Sequence, residues 1–436
     1  MSILDLNFSI ALDFFPLLAG VLAAVTCGLL GNFLVLRRLS LMGDAISHSV
    51  LPGLVIAFLV ASTRSPVAMF IGAALAGVLT VVLVELIKKL GRVEPGAAMG
   101  VVFSVLFALG VLLIERAAVR HVDLDADCVL HGQLETLAWY GAPDTFAGLL
   151  TFSTLEHTPQ PVMTLAAMTV LGFVFVGVLF KELRIAAFDP ALATTQGFNA
   201  TLMHYLLMVF VAAATVASFT AVGSILVIAM LVCPAATARL LTDRLGTQVV
   251  CSVVIAVASA VGGYLAAAAV PALWGAEEVN AAGSMTLMSG LLLVLAIIAA
   301  PRHGLITRAL RRSRLGRSIA RDDLLAALYR AGETGAESIA KPELERSIAG
   351  HRPTATIKTA RRRGLITEHD NRLTLTPAGR SAAEEIVRRH RLWEHYLVEQ
   401  AGVAPDHVHD LAEQLEHLDP RPAADAATDP HGKPIP

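Results

Sequence analysis

Apolar runs long enough to cross a bilayer as helix recur nine times between residues 15 and 300 of this 436-residue chain, and no other feature constrains its fold as much. Hydrocarbon offers no water to bare amides, so each run must close its hydrogen bonds within itself, as helix. The runs cover 15–36, 40–62, 67–87, 96–114, 161–180, 202–219, 222–241, 248–270 and 284–300. Nine spans is the working count, with eight as the alternative. A composition that is 55% hydrophobic and only 16% charged excludes a cytosolic enzyme.

Charge is unevenly divided. Residues 1–300 hold 12 basic and 17 acidic side chains, residues 301–436 hold 22 and 19, so a soluble appendage begins near residue 301. The N-terminus lacks a cleavable signal pattern, and the first run is expected to stay as a membrane anchor. Four cysteines without a CxxC pair imply no disulfide framework. With the N-terminus outside, Arg37, Arg38, Lys88, Lys89, Arg92, Lys181, Arg184, Arg239 and Arg244 fall on the inner side and Arg64, Arg116 and Arg120 outside. That bias favours an external N-terminus and a cytoplasmic C-terminal domain.

Ionisable groups within the runs carry more information, because each costs several kcal/mol in hydrocarbon. The second run reads Leu39-Ser-Leu-Met-Gly-Asp44-Ala-Ile-Ser-His48-Ser-Val-Leu-Pro52-Gly. Asp44 and His48 are four apart and share a helix face, close to the expected midplane. A carboxylate with an imidazole suits Mn²⁺, Zn²⁺ or Fe²⁺. The same spacing also suits an Asp–His hydrogen bond that ties two helices together.

The stretch Leu36-Arg-Arg-Leu-Ser-Leu-Met-Gly-Asp44-Ala-Ile-Ser-His48-Ser-Val-Leu-Pro52-Gly resembles the signature of the metal-ion permease family of ABC importers. Gly96-Ala-Ala-Met-Gly-Val-Val-Phe103, Lys181-Glu-Leu-Arg-Ile-Ala-Ala-Phe-Asp-Pro190 and Pro234-Ala-Ala-Thr-Ala-Arg-Leu-Leu241 are similar to the same family. The resemblance implies a homodimeric or paired permease with Asp44 and His48 as transient ligands of a manganese, zinc or iron(II) substrate. It implies as partners a separate ABC ATPase subunit, an extracytoplasmic metal-binding protein and a second permease subunit, in a bacterial plasma membrane.

Phe188-Asp189-Pro190-Ala-Leu-Ala-Thr-Thr-Gln-Gly197 has the Asp-Pro start and Gly stop of a short helix. By the resemblance, Phe188, Asp189, Pro190 and Gly197 belong to the segment that docks into the ATPase; an ordinary inner loop is the alternative. No GxxxxGK[ST] loop occurs in the chain, so a nonenzymatic transport subunit is expected, with ATP hydrolysed elsewhere and no organic cofactor. Residues 121–160 form an acidic link with His121, Asp123, Asp125, Asp127, His131, Glu156 and His157, read as a solvated external face.

Beyond residue 301 the expected order is a basic juxtamembrane linker (302–321), a winged helix (322–380) and a helical region (381–436). The linker holds seven arginines and no acid, a pattern drawn to anionic lipid. Helices over Asp322 to Ala331, Pro342 to Ile348 and Thr354 to Arg363 precede an alternating hairpin with an Asp-Asn turn. Arg361, Arg362 and Arg363 are candidate DNA phosphate contacts, although direct DNA binding is not expected of a membrane-tethered module.

Further on, His409, Glu413, Glu416 and His417 share one helix face, and His390 shares another with Glu394. Residues 318–436, through the winged helix and Val408-His-Asp-Leu-Ala-Glu-Gln-Leu-Glu-His417, resemble the diphtheria-toxin-repressor-like, metal-dependent regulators. That implies His390, Glu394, His409, Glu413, Glu416 and His417 as regulatory metal ligands, with Asp323 as a further one. Ala326 departs from relatives that offer a carboxylate there, and Leu418 to Thr428 is rich in proline and alanine where they run a longer helix.

The expected molecule is thus an all-α polytopic membrane protein of eight or nine transmembrane helices with a C-terminal cytoplasmic α+β winged-helix domain. Its function reads as an ABC importer permease for divalent transition metals, with feedback from the appended domain. A membrane-tethered, metal-dependent transcription regulator is the alternative.

Overall fold

A computed structural model of the chain describes residues 9–61, 66–118, 134–137, 139, 158–274, 279–336, 338–347, 353–416 and 426–436. The acidic link, from His121 to His131 and at Glu156 and His157, and the candidate ligand His417 lie outside the described residues. The chain divides into two compact units, Met1–Thr307 and Arg308–Pro436.

Among the described residues of the first unit, nine helices are long and apolar enough to cross a membrane. They are Ile10–Leu36, Met42–Ala61, Val67–Gly91, Pro95–Glu115, Gln160–Val178, Ala200–Val222, Ser224–Leu241, Leu245–Val270 and Ala281–Ala299. Apolar surface gains little by leaving lipid for another helix, so such helices associate through close packing and buried polar contacts. Gly53 and Gly72 supply close packing, since a Cβ on either collides with the other's carbonyl oxygen. Buried polar contacts gather on the first span: Asn32 Nδ2 donates to the Gly28 carbonyl and Oδ1 accepts from Gln248 Nε2 at 3.0 Å. Ser252 of the eighth span adds a 2.7 Å bond to the Gly28 carbonyl.

The second span is two helices, Met42–Ser49 and Leu51–Ala61. Pro52 has no N–H to return to the His48 carbonyl, so the ladder is interrupted just after the histidine. The Ser49 hydroxyl turns back on the Ala45 carbonyl at 2.7 Å and meets Thr80 Oγ1 of the third span at 2.5 Å.

The second unit is a small α+β fold. Helix Leu305–Glu333 leads to strand β1 (Ile339–Ala340), helices Lys341–Ser347 and Pro353–Arg362, and the hairpin β2 (Ile366–His369) and β3 (Arg372–Leu375). β3 is central and antiparallel to both neighbours, with Ile366 opposite Leu375 and His369 opposite Arg372. Asp370 and Asn371 turn the hairpin at φ +48° and +62°, the left-handed pair a two-residue turn requires. This is the winged-helix order read from the sequence. Leu324, Leu328, Leu344, Ile357, Ile366, Leu373, Ile386 and Val387 form its core.

Helix Pro377–Glu399 starts at Thr376, whose hydroxyl accepts from the Gly379 N–H at 3.0 Å. Leu397, Val408 and Ala412 hold helix His409–Leu415 beside it. Buried Arg391 pins the C-terminal residues, donating to Glu333 at 2.6 Å and to the Pro434 carbonyl at 2.5 Å. One element differs from expectation. The basic segment is helical from Leu305 and runs unbroken through Asp322, because arginine, leucine and alanine propagate helix and Gly316 alone is too small a penalty to stop it.

Candidate metal centres

Asp44 and His48 stand on one face of the helix Met42–Ser49, with His48 Nε2 3.2 Å from Asp44 Oδ1. Their side chains are 35% and 29% exposed in the single chain, so the donors remain reachable. Phe103 and Phe107 of the fourth span flank the imidazole at 5.9 and 6.0 Å between ring centres. Among the described residues no further His, Cys, Asp or Glu joins them in a three-donor group. Two donors beside aromatic rings would fill only part of a divalent ion's coordination shell, which suits brief occupancy better than storage.

A polar cluster at one end of the same bundle escaped sequence reasoning. Buried Glu85 of the third span accepts from Lys88 Nζ at 2.7 Å and from His204 Nε2 at 3.0 Å. His204 Nδ1 in turn meets Arg37 Nη1 at 2.9 Å, an arrangement satisfied by a neutral ring carrying its proton on Nε2. Intramembrane Glu85 and His204, both inside expected spans, were the available signal. Glu85→Ala leaves His204 and Lys88 without their acceptor. It is expected to destabilise the first unit by about 3 kcal/mol, measured as a lower unfolding temperature in detergent, because removing one member of a buried pair exposes the desolvation cost of the rest.

The segment after the fifth span folds as the sequence indicated. Asp189 accepts from the N–H groups of Ala191 and Leu192 at 3.0 and 2.9 Å and caps helix Pro190–Thr195, and Gly197 follows at φ +86°. Phe188 and Leu192 are exposed while Ala193 is buried.

In the second unit, His390 Nε2, Glu394 Oε1 and His409 Nδ1 converge. The separations are 3.1 Å for His390 to Glu394, 3.1 Å for His390 to His409 and 2.9 Å for His409 to Glu394. His390 and Glu394 are buried, and His409 is 55% exposed, which gives the cluster one accessible side. Two imidazoles and a carboxylate fit Mn²⁺, Fe²⁺ or Zn²⁺. Glu416 sits on the opposite ring nitrogen, accepting from His390 Nδ1 at 2.5 Å. It therefore orients the imidazole and leaves Nε2 toward the other donors. The cluster takes in neither Asp323 nor exposed Glu413.

Burial lowers the His390 imidazole, but its hydrogen bonds to Glu394 and then Glu416 outweigh that and hold it above its ordinary value. Burial raises the Glu394 carboxyl, and the bonds from His390 and His409 overcome this and pull it to about 2. Arg361, Arg362 and Arg363 are exposed at the end of helix Pro353–Arg362. Arg361 is committed to Glu368 of β2 at 2.9 Å, beside Lys341.

Residues 14–139 and 150–301 match the ABC 3 transport family. The chain belongs to the ABC 3 transport family. Residues 376–436 match the iron dependent repressor, metal binding and dimerisation domain. The manganese transport system membrane protein MntD of Bacillus subtilis (strain 168) is 41% identical over 67% of this chain and 93% of its own length. The zinc transport system membrane protein TroD of Treponema pallidum (strain Nichols) is 35% identical over 84% of this chain and 96% of its own. Among solved structures, PsaBC from Streptococcus pneumoniae in complex with Fab is 27% identical, with a TM-score of 0.53 over 68% of this chain and 94% of that one. The ABC 3 match falls on the first unit, where nine apolar helices stand among the described residues, and the protein is a multi-pass membrane protein. His390, Glu394, His409 and Glu416 all lie inside the second match, appended to the ABC 3 portion.

Proposed function

We propose that the chain is the membrane-spanning permease subunit of an ABC importer for divalent transition metal ions, with Mn²⁺, Zn²⁺ or Fe²⁺ as substrate. The observation that carries this reading is the Asp44–His48 pair, set on one helix face at the break of the second span in an ABC 3 family chain. An extracytoplasmic binding protein delivers the ion, Asp44 and His48 hold it through one carboxylate oxygen and one ring nitrogen, and a second permease subunit or water completes its coordination. A separate ATPase subunit supplies the energy. The N-terminus lies outside and the second unit in the cytoplasm, in keeping with the lysine and arginine bias.

The decisive experiment is uptake of radioactive manganese, zinc and iron by cells that lack their own importers and express the chain with its ATPase and binding protein. Accumulation of none of the three rejects the reading.

The capped helix Pro190–Thr195, with exposed Phe188 and Leu192, is the surface we assign to the ATPase. Loss of an N-cap costs about 1 kcal/mol, roughly fivefold in the ratio of folded to unfolded helix. In so short a helix Asp189→Ala is therefore expected to cut uptake by up to about fivefold at unchanged membrane abundance. Unchanged uptake in that variant removes the coupling role.

The second unit acts as a sensor of cytoplasmic metal. A metal held by His390, Glu394 and His409 would fix helix His409–Leu415 against helix Pro377–Glu399, and only a difference in affinity between two arrangements of the domain can pass that event to transport.

A further inference from the structure

The second unit contains a cleft of about 790 Å³ between helix Leu305–Glu333 and helix Pro353–Arg362. Arg314, Arg317, Arg321 and Arg363 line it, with the hydroxyls of Ser313, Ser318, Thr356 and Thr359, and no carboxylate is among the lining residues. Arg321 is partly neutralised by Asp322, at 2.7 Å, and reaches Ser318 at 3.2 Å. Among the described residues no ion pair reaches Arg314, Arg317 or Arg363. Asp322 and Glu385 line a neighbouring hollow together with Arg389, and Arg321 and Arg363 border both spaces.

Arg314 and Arg317 add like charge beside Arg321 and Arg363, such charges repel one another, and guanidinium forks match the oxygens of a phosphate group. We propose that this cleft binds the phosphodiester headgroup of an anionic phospholipid.

Two features select lipid over a nucleic acid backbone. Arg314, Arg317 and Arg321 recur at steps of three, four and seven and therefore form one stripe of the helix. Leu310, four residues before Arg314 on that stripe, is 54% exposed beside exposed Arg311, so along one face an exposed leucine precedes the basic surface. This is the order of acyl chain and phosphate in a phospholipid, and the composition of a helix that lies at a membrane surface. The second feature is the covalent tether. The helix begins at Leu305, six residues after the ninth span ends at Ala299, and Arg314 lies about 14 Å along it at 1.5 Å per residue.

The contribution of helix Pro353–Arg362 gives the site a consequence. Thr356 and Thr359 come from the winged helix's third helix and Arg363 from the turn just after it, so a headgroup in the cleft joins that helix to the basic stripe and occupies the surface that DNA phosphates would otherwise meet.

The test uses the full chain in a neutral detergent, titrated with dihexanoylphosphatidylglycerol, dihexanoylphosphatidylcholine, inorganic phosphate and duplex DNA, with binding read by thermophoresis. Saturable binding of the phosphatidylglycerol, with the phosphatidylcholine at least tenfold weaker, is expected. Each arginine near an anionic lipid is worth about fivefold in affinity, so R317A/R363A should weaken binding roughly 25-fold. R317K/R363K keeps the charge and loses the fork, and should fall between the two. Arg380→Ala, an exposed arginine outside the cleft, should leave binding unchanged. Equal binding of both lipids, or no loss in R317A/R363A, overturns the proposal. So does inorganic phosphate binding as tightly as phosphatidylglycerol, or duplex DNA binding where the lipid does not.

Discussion

Asp44→Asn is expected to reduce metal accumulation to below a tenth of the parent rate, with His48→Leu at least as severe, while both variants reach the membrane at normal levels. A carboxylate inside a span is expensive to keep in place, so neutralising it should leave the fold as stable or more stable. Asn preserves the shape and a hydrogen bond for His48 Nε2, now 3.2 Å from Asp44 Oδ1, but removes the negative charge that offsets the ion's lost hydration. Leu at position 48 fills similar space beside Phe103 and Phe107 and removes the ring nitrogen. Loss of an outer partner to a metal ligand already costs about 10–100-fold, and loss of one of two ligands should cost no less. The measurement is initial uptake normalised to membrane abundance, with unfolding temperature followed in parallel. A parent-like rate in Asp44→Asn would falsify the role assigned to the pair. A variant that is both inactive and unstable would point instead to a structural Asp–His tie.

The same pair shows which information a sequence carries. Asp44 and His48 were readable because their relation is local: four residues on a helix fix a shared face, and Pro52 marks the break that follows. The hairpin was readable for a similar reason, since Asp370-Asn371 between alternating strands specifies a left-handed two-residue turn. Asp189 and Gly197 punctuate their short helix in the same way. Glu85 and His204 were not assembled in advance, because 119 residues separate them and only tertiary packing brings the carboxylate to the ring. Glu416 shows a finer limit. Periodicity put it on one face with His409 and Glu413, yet its carboxylate reaches His390 from the side away from the other donors, while Glu413 turns outward. A helix wheel gives directions, and which ring nitrogen faces which oxygen depends on how two helices cross.

The metal cluster of the second unit yields the other large effect. Saturating Mn²⁺, Zn²⁺ or Fe²⁺ is expected to raise the unfolding transition of this unit in the full chain by roughly 10 °C, since binding at 100 times Kd stabilises by about 2.7 kcal/mol. His409→Ala should abolish that rise and lower the metal-free transition only modestly, by about 1 kcal/mol, because buried Glu394 loses one donor while His390 still holds it. The dependence on pH has a definite sign. His390, held above its ordinary 6.5, contributes stability that is complete below about 6.5 and is lost as pH rises through the raised value. Glu394, pulled from 4.5 to about 2, contributes stability that is present above about 4.5 and is lost as pH falls through about 2. The metal-free unit should therefore be most stable between these limits and weaken toward pH 8. A metal displaces the proton that His390 otherwise shares with its carboxylates, so its affinity should grow by up to tenfold per pH unit below the raised value. The metal-induced rise must then be larger at pH 8 than at pH 6 in the parent and absent at both in His409→Ala. A rise of the same size in parent and variant would place the ion elsewhere in the chain.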